Sequence, residues 1–260
     1  RLTEGYGLSE VGVRAARDYG ARLIVTVDSG ITGHEEIALA KDLGIDVIVT
    51  DHHEPQESLP PAVAVVDPKR RDSDYPFKHL AGVGVAHKVM TALAMGDREV
   101  AYAVDETLDL VAVGTVADIV PLIGENRVLT SLGLDRLRDT ENHGLRALMD
   151  VAGVESVTAR AAHIGFALGP RLNAAGRLGD ASIGVELLTT GSPEKAERIA
   201  RTLDGENRKR RELECAVLED ALRIIEEEGL QDTRRSIVLW SEKWHPGVIG
   251  IVASRLAKQY

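Results

Sequence analysis

The sequence predicts an α/β fold built on a parallel sheet, and three observations within residues 22–53 predict it. Two short runs rich in β-branched residues, Arg22–Val27 and Ile45–Thr50, have the composition of strands buried on both faces. Between them, His34–Leu43 carries apolar residues at helical spacing and is followed by Gly44, a common helix stop. Strand, helix and strand within about thirty residues form a βαβ unit, so the two strands run parallel.

The remaining elements are predicted from hydrophobic periodicity and from capping, Gly and Pro signals. Two further strands are expected at Ala62–Val66 and Arg235–Trp240. Gly169–Leu178 is expected to be a loop, and the apolar Glu99–Ala117 a buried segment. The expected helices are Leu8–Tyr19, one within Leu80–Ala94 that follows the Gly-rich Ala81–Ala86, Asn126–Arg138, Asn142–Ala152, Thr158–Phe166, Pro193–Glu228 and Val248–Tyr260.

The longest helical pattern, Pro193–Glu228, has a densely charged middle, which favours a helix that bridges two bodies rather than one that lies in a core. Its Arg208–Arg211 cluster is interpreted as a solvated face, with a nucleic-acid backbone contact as the alternative. The strand, turn and helix that follow predict the start of a second domain.

Composition limits the class of protein. Apolar residues make up 44% of the 260 residues and aromatic residues only 3%, so an ample, aliphatic core is expected. The net charge of −10 argues against a generally basic nucleic-acid-binding surface, although a local basic groove remains compatible with it. The single Cys215 excludes an internal disulfide framework and fits a reducing cytoplasm. No apolar run reaches the roughly 18 residues of a transmembrane helix, so no membrane span or membrane partner is predicted.

Polar side chains follow both strands of the βαβ unit. Asp28 comes directly after the first strand, and Asp51, His52 and His53 come directly after the second. Parallel strands end at one edge of the sheet, where open α/β sheets bind ligands. Carboxylate and imidazole together suit Mn²⁺, Fe or Zn²⁺, so a metal or catalytic site is predicted there. The alternative is structural: Asp28 caps a turn and the histidines belong to a polar loop.

Two further groups are candidates for function. Asp118 follows a buried apolar segment and is a candidate third ligand, the alternative being a helix cap. Arg171, Asn173 and Arg177 lie in Gly169–Leu178, where arginines could bind phosphate in a bidentate manner. The alternative is a structural segment whose arginines pair with surface acids.

Five motifs carry a resemblance to a known family. They are VDSG at Val27–Gly30, DHH at Asp51–His53, LDLVAVGTVADIVPL at Leu108–Leu122, GPRLNAAGRLGDAS at Gly169–Ser182 and WHPGVIGIVASRL at Trp244–Leu256. In this order, they resemble the RecJ family of bacterial exonucleases, within the DHH phosphoesterase superfamily. The resemblance covers essentially the whole chain, and the last two motifs are the most specific to that family.

The resemblance implies an α/β architecture in three parts: a DHH domain over residues 1–192 with helices on both faces of its parallel sheet, an interdomain helix over 193–229, and the start of an α/β DHHA1-type domain over 230–260. It implies a 5′-to-3′ exonuclease specific for single-stranded DNA, acting in repair and recombination with two Mn²⁺ or Mg²⁺ ions. The implied partners are single-stranded DNA, a single-strand-binding protein and a recombination helicase, and the implied state is a cytoplasmic monomer.

The resemblance also assigns residues. Asp28 would bridge the two metals, His52 and Asp118 would ligate one of them, and His53 would face the scissile phosphate. The matched residues along the nucleotide path are Arg171, Asn173 and Arg177.

One departure from the family pattern lies ahead of Asp28. The family carries an Asp-x-Asp motif there whose acids ligate metal, and none precedes Asp28 here. The 260 residues are therefore expected to be a fragment, with both ends cut, that binds metal weakly and has little nuclease activity. Two other interpretations stay open: a small-substrate DHH phosphatase acting on oligoribonucleotides, cyclic dinucleotides or pyrophosphate, and a non-catalytic DHH-fold scaffold that binds DNA or a replication partner.

Overall fold

A three-stranded parallel sheet forms the frame of the N-terminal part of the chain. The computed structural model describes residues 7–230 and 235–260. The strands are β1 (Leu23–Val27), β2 (Asp46–Thr50) and β3 (Ala64–Val66), in that spatial order. Val27 is opposite Thr50, which is opposite Val66, so all three strands end level with one another. The predicted α/β class with a parallel sheet is confirmed.

Two helices cover one face of this sheet. Helix α1 (Glu10–Asp18) begins at Ser9, whose hydroxyl accepts a hydrogen bond from the Gly12 N–H. Helix α2 (His34–Asp42) connects β1 to β2. Their apolar residues pack on the sheet in a cluster built from Val13, Ile37, Ala40, Ile45, Val47 and Val49.

The expectation that β1 is buried on both faces is wrong for the described residues. Ile24 and Thr26 turn toward the covered face, whereas Leu23, Val25 and Val27 are each about half exposed. These three side chains project from the face of the sheet opposite the one that α1 and α2 cover, and β1 is also an edge strand with β2 on one side only. The β-branched run that predicted the strand carries no information on which neighbours cover it.

The chain divides into two compact units. Unit 1 comprises the described residues as far as Glu141 together with Gly153–Gly169, and unit 2 comprises Asn142–Ala152 and the described residues from Pro170 onward. The predicted domains, 1–192, 193–229 and 230–260, were drawn from the family resemblance rather than from compactness, and they stay a prediction. The last of them includes residues 231–234, which lie outside the described residues. No helix among the described residues is long and apolar enough to cross a membrane.

Unit 1 continues after the sheet with helices. Glu99–Ala117, predicted as one buried segment, is two helices that meet at Thr107. The helix that contains Leu108 packs closely on the one that contains Gly133, because Gly133 has no side chain. A Cβ atom at this position would lie 2.1 Å from the Leu108 carbonyl oxygen. The helices are α3 (Gly82–Leu93), α4 (Arg98–Glu106), α5 (Leu108–Ala117), α6 (Gly124–Arg138) and the short α8 (Ala161–His163), which runs into a π-helical turn at Ile164–Leu168.

Unit 2 is helical. Its elements are α7 (His143–Ala152), α9 (Gly169–Leu178, which starts at the last residue of unit 1), α10 (Ser182–Thr189), α11 (Pro193–Glu227) and α12 (Pro246–Leu256). The predicted long helix is confirmed as α11, and its buried face extends through its charged middle to include Asn207, Arg210 and Glu214.

Two predictions in this unit are wrong. Gly169–Leu178 is helix α9 rather than a loop, because Leu172, Ala174 and Ala175 favour helix strongly enough to outweigh its glycines. Residues 235–240, predicted as a strand, have no strand structure, and Val238 and Trp240 are largely exposed. No neighbouring strand lies beside them among the described residues, so the backbone of this apolar run has no strand to pair with.

Candidate metal centre

The ends of β1 and β2 bring a carboxylate and two imidazoles together. Asp28, His52 and His53 each offer a ligand atom, and these atoms lie within 4.8 Å of one another. The cause is the strand register, since Val27 and Thr50 are paired and the residues after them leave the sheet at the same edge. The Asp28 N–H also donates to the Thr50 carbonyl, which fixes the backbone of Asp28 against β2.

His52 lies at the centre of the cluster. Its Nε2 atom is 2.9 Å from Asp28 Oδ1 and 3.4 Å from Asp118 Oδ2, so Asp118 joins the group that the sequence predicted. Both Nε2 of His52 and Oδ1 of Asp28 are buried atoms without a hydrogen bond of acceptable geometry. These two atoms therefore lie close together without being aligned as donor and acceptor. Two ligands of one cation have the same arrangement. The residues present therefore fit a divalent metal.

The charges around the cluster are consistent with a cation between them. The adjacent Asp28 carboxylate is the main cause that raises the pKa of His52, against the effect of burial. Burial, followed in smaller measure by the charge of Asp28, raises the pKa of Asp118. Two carboxylates held near one imidazole in a partly buried site favour any positive charge placed among them.

Two residues at the site have left-handed backbone conformations. Asp28 has φ of 60° and Ile119, which follows Asp118, has φ of 62°. Asp tolerates this region, whereas a β-branched residue such as Ile rarely adopts it. Asp118 is the C-cap of α5, as the structural alternative predicted, and it also points its carboxylate at His52. The reversal at Ile119 ends the helix at the site.

Asp51, the first residue of the DHH run, has a role that the sequence interpretation did not assign. Its Oδ1 accepts the backbone N–H groups of His52 and His53 and lies 2.7 Å from Nδ1 of His53, while its Oδ2 accepts the Ile31 N–H. Burial would raise the pKa of Asp51, but these hydrogen bonds outweigh it and lower that pKa. The buried carboxylate thus orients the loop that carries both imidazoles. The sequence signal for this role was the position of Asp51 directly before two histidines.

The predicted nucleotide-path residues lie on α9 in unit 2. Arg171 donates from Nε and Nη2 to Oδ1 of Asp204 at 3.0 and 2.9 Å, which is the ion-paired alternative that the sequence left open. The Nη1 of Arg177 donates to the Gly247 carbonyl at 3.3 Å, and Asn173 is exposed. These contacts lie within unit 2, and the role of the three residues in substrate binding stays a prediction.

Comparison with known proteins gives the class first. Residues 6–115, which include the βαβ unit with Asp28, His52 and His53 at its edge, match the family model described as "DHH family, N-terminal domain". More particularly, the chain is similar over its whole length to the single-stranded-DNA-specific exonuclease RecJ. The predicted resemblance to RecJ is confirmed.

Relatives and solved structures agree on this likeness. RecJ of Bacillus subtilis is 44% identical over 260 residues, covering 100% of this chain and 32% of that protein. A crystal structure of RecJ from Thermus thermophilus in complex with Mn²⁺ matches with a TM-score of 0.81 and 36% identity, covering 95% of this chain and 36% of that one. A structure of RecJ from the same organism with Mg²⁺ matches with a TM-score of 0.67 and 30% identity, covering 96% and 41%. The chain thus spans about a third of the B. subtilis protein's length.

Proposed function

We propose that the complete protein containing this chain is a metal-dependent exonuclease that hydrolyses single-stranded DNA from its 5′ end. The observation that carries the proposal is the convergence of Asp28, His52, His53 and Asp118 at one edge of the sheet, in a chain similar to RecJ along its whole length. We place the reaction in the cytoplasm, in DNA repair and recombination, with single-stranded DNA as substrate.

Mn²⁺ or Mg²⁺ is the proposed cofactor. The related crystal structures contain these ions, and the donor set of carboxylates and imidazole fits them. Asp28, His52 and Asp118 would hold the metal. When bound, divalent ions polarise a phosphoryl oxygen and lower the pKa of a water molecule, which is the chemistry that phosphodiester hydrolysis needs.

Further residues are proposed to contact the substrate. His53 directs Nδ1 toward Asp51, which leaves Nε2 of this half-exposed ring facing away from the carboxylate; when Nε2 also carries a proton, as in the imidazolium, it would donate to a phosphate oxygen. The proposed nucleotide path includes Arg171, Asn173 and Arg177, with the two guanidinium groups near phosphates. A chain with a net charge of −10 can accommodate a polyanion in this way, because the cations in the site supply the positive charge locally.

The proposal is tested by digesting 5′- and 3′-labelled single strands with the complete protein and Mn²⁺. Wild-type protein should release label from the 5′ end first, and chelation by EDTA should stop the reaction. Asp28→Ala should abolish cleavage without loss of fold. The matched control is Asp46→Ala, an exposed acid at the opposite end of the β2 strand from His52, which should cleave as wild type does.

The outcomes separate the proposal from its rivals. Release from the 3′ end would overturn the polarity. Preference for very short oligonucleotides or cyclic dinucleotides over long strands would favour a small-substrate phosphatase. DNA binding without any metal-dependent hydrolysis would favour a scaffold.

A further inference from the structure

Helix α3 begins in direct contact with the Asp28 side chain. A Cβ atom built on Gly82, the first residue of that helix, would lie 2.4 Å from Asp28 Oδ1 and 2.6 Å from both its Cβ and Cγ. Real Cβ atoms essentially never approach another heavy atom within 3.0 Å. The space that any side chain at position 82 would need is therefore already filled by the candidate metal ligand.

Backbone conformation does not explain why this residue is glycine. Gly82 lies within a regular helix and is outside the left-handed region, which contains other glycines of the chain such as Gly30 and Gly44. Helix propensity does not favour glycine over alanine either. What glycine provides here is close approach of one backbone to a neighbouring side chain.

Neither partner can move away easily. The 2.6 Å contact involves the Cβ of Asp28, so rotation of the side chain about χ1 would not relieve it. The Asp28 backbone is held by its N–H bond to the Thr50 carbonyl at 3.0 Å. The start of α3 is held by Asn126, a fully buried residue whose Oδ1 accepts the Ala81 N–H and whose Nδ2 donates to the His79 and Pro121 carbonyls. A larger residue at position 82 would have to displace the Asp28 carboxylate.

We propose that Gly82 is a positioning residue of the metal centre: the absence of a side chain there allows the Asp28 carboxylate to lie beside His52 in a ligating arrangement. The inference rests on the proposed metal-binding function of Asp28. Gly82 itself contacts neither metal nor DNA in this proposal. A side chain at position 82 would affect the metal centre only by displacing the Asp28 carboxylate.

The test compares Gly82→Ala with Gly84→Ala in the complete protein. Both changes add one methyl group to the first turn of α3, but the nearest atom to a Cβ at position 84 would be Leu80 Cδ2, at 3.2 Å and at the end of a flexible side chain, and the next, Leu129 Cδ1, would lie at an ordinary contact distance of 3.7 Å. Mn²⁺ affinity is measured by electron paramagnetic resonance of free Mn²⁺, with circular dichroism to verify the fold. Gly82→Ala should weaken binding by about 10- to 100-fold, the usual effect of disturbing the surroundings of a metal ligand, and Gly84→Ala should change it less than about threefold.

A second measurement covers the case in which Gly82→Ala folds poorly. In an Asp28→Gly background the added methyl group has no carboxylate to meet, so Gly82→Ala should lower the thermal midpoint in the wild-type background and not in this one. An equal loss in both backgrounds, including complete unfolding in both, would show that the clash lies elsewhere and would overturn the inference.

The two levels of proposal fail differently. If Asp28→Ala abolishes Mn²⁺ binding while Gly82→Ala binds as wild type does, the positioning role is wrong and the metal centre stands. If Asp28→Ala leaves Mn²⁺ binding unchanged, the proposed metal centre itself is wrong.

Discussion

Oδ1 of Asp51 lies 2.7 Å from Nδ1 of His53, and the same oxygen accepts the backbone N–H of each histidine in the pair. One buried carboxylate therefore sets both the path of the loop and the orientation of the ring. Because it accepts at Nδ1, it favours the tautomer of His53 that carries its proton there. Asp51 thus supports the site without being one of the clustered ligands.

Asp51→Asn tests that support. The amide keeps the shape of the side chain but replaces one acceptor oxygen by a donor, so it cannot serve all four N–H groups and cannot select the tautomer as a carboxylate does. We expect hydrolysis of single-stranded DNA to fall by about 10- to 100-fold, as is usual when the residue that orients a site histidine is changed. Steady-state rates and the pH–rate profile measure this, with Asp46→Asn at the far end of β2 as the control. An unchanged rate and profile would show that the ring needs no such partner.

Asp67, which follows β3, gives a prediction about stability and pH. It is buried, with an Oδ2 that has no hydrogen-bond partner among the described residues, and desolvation is the main cause that raises its pKa from 3.8 to about 6. The folded state therefore holds this proton more tightly than the unfolded chain does. The contribution of Asp67 to the free energy of unfolding is full below about pH 4 and is lost as the pH rises to about 6.

Asp67→Asn removes that titration. Asparagine keeps an oxygen for the Lys69 N–H and carries no charge at any pH. Relative to wild type, the variant should gain on the order of 2–3 kcal/mol at pH 7 and almost nothing at pH 4, from about 1.4 kcal/mol per pKa unit. Urea unfolding at both pH values measures the difference. A gain of equal size at the two values would mean that the carboxyl group is not neutral when the protein folds in acid.

The parts of the site that sequence could predict are those fixed by strand ends. Asp28 and His52 were predictable because each directly follows an apolar run, and parallel strands end at a common edge. Asp118 was a candidate ligand because it follows an apolar segment, and the motif resemblance assigned it to the same metal as His52, although its distance along the chain gives no hint of proximity. The structure brings these three residues together.

What sequence could not predict depends on tertiary neighbours. Gly82 is one of the glycines at the entry to a predicted helix, but the side chain that it accommodates belongs to Asp28, more than fifty positions earlier. The α9 helix was predicted as a loop because Gly and Pro at its start are also loop signals, and the pairing of Arg171 with Asp204 becomes visible only once α11 lies beside it. Likewise the exposure of one face of β1 depends on which elements cover the strand, not on its own residues.

Gly133 provides a prediction on the packing of the helix that ends at Asp118. A Cβ at this position would lie 2.1 Å from the Leu108 carbonyl oxygen and 2.5 Å from the Ala112 Cβ, so α5 and α6 would have to separate. Gly133→Ala should lower the free energy of unfolding by about 1–3 kcal/mol, despite the better helix propensity of alanine. The control is Gly205→Ala in α11, where no atom lies within 4 Å of the added Cβ and where a gain of up to about 1 kcal/mol is expected. Thermal unfolding of the two variants should shift in opposite directions.

The buried charges of α11 give the last prediction. Arg210 and Glu214 are each 9% exposed and pair at 2.6 Å; the Arg210 guanidinium also donates to Oδ1 of Asn207, and Glu214 accepts from Arg255 of α12. Arg210→Ala leaves a buried carboxylate with only the partly exposed Arg255, and it should cost about 3 kcal/mol of stability. Replacing both partners together, as Arg210→Met with Glu214→Leu, should cost much less than the single change, because no uncompensated charge then remains in the helix interface.

The control is removal of the exposed Arg223, which forms an ion pair with the same i, i+4 spacing to Glu227 on the same helix and should leave the thermal midpoint almost unchanged. If Arg210→Ala and Arg223→Ala unfold at the same temperature, the buried pair contributes no more to stability than a surface pair does.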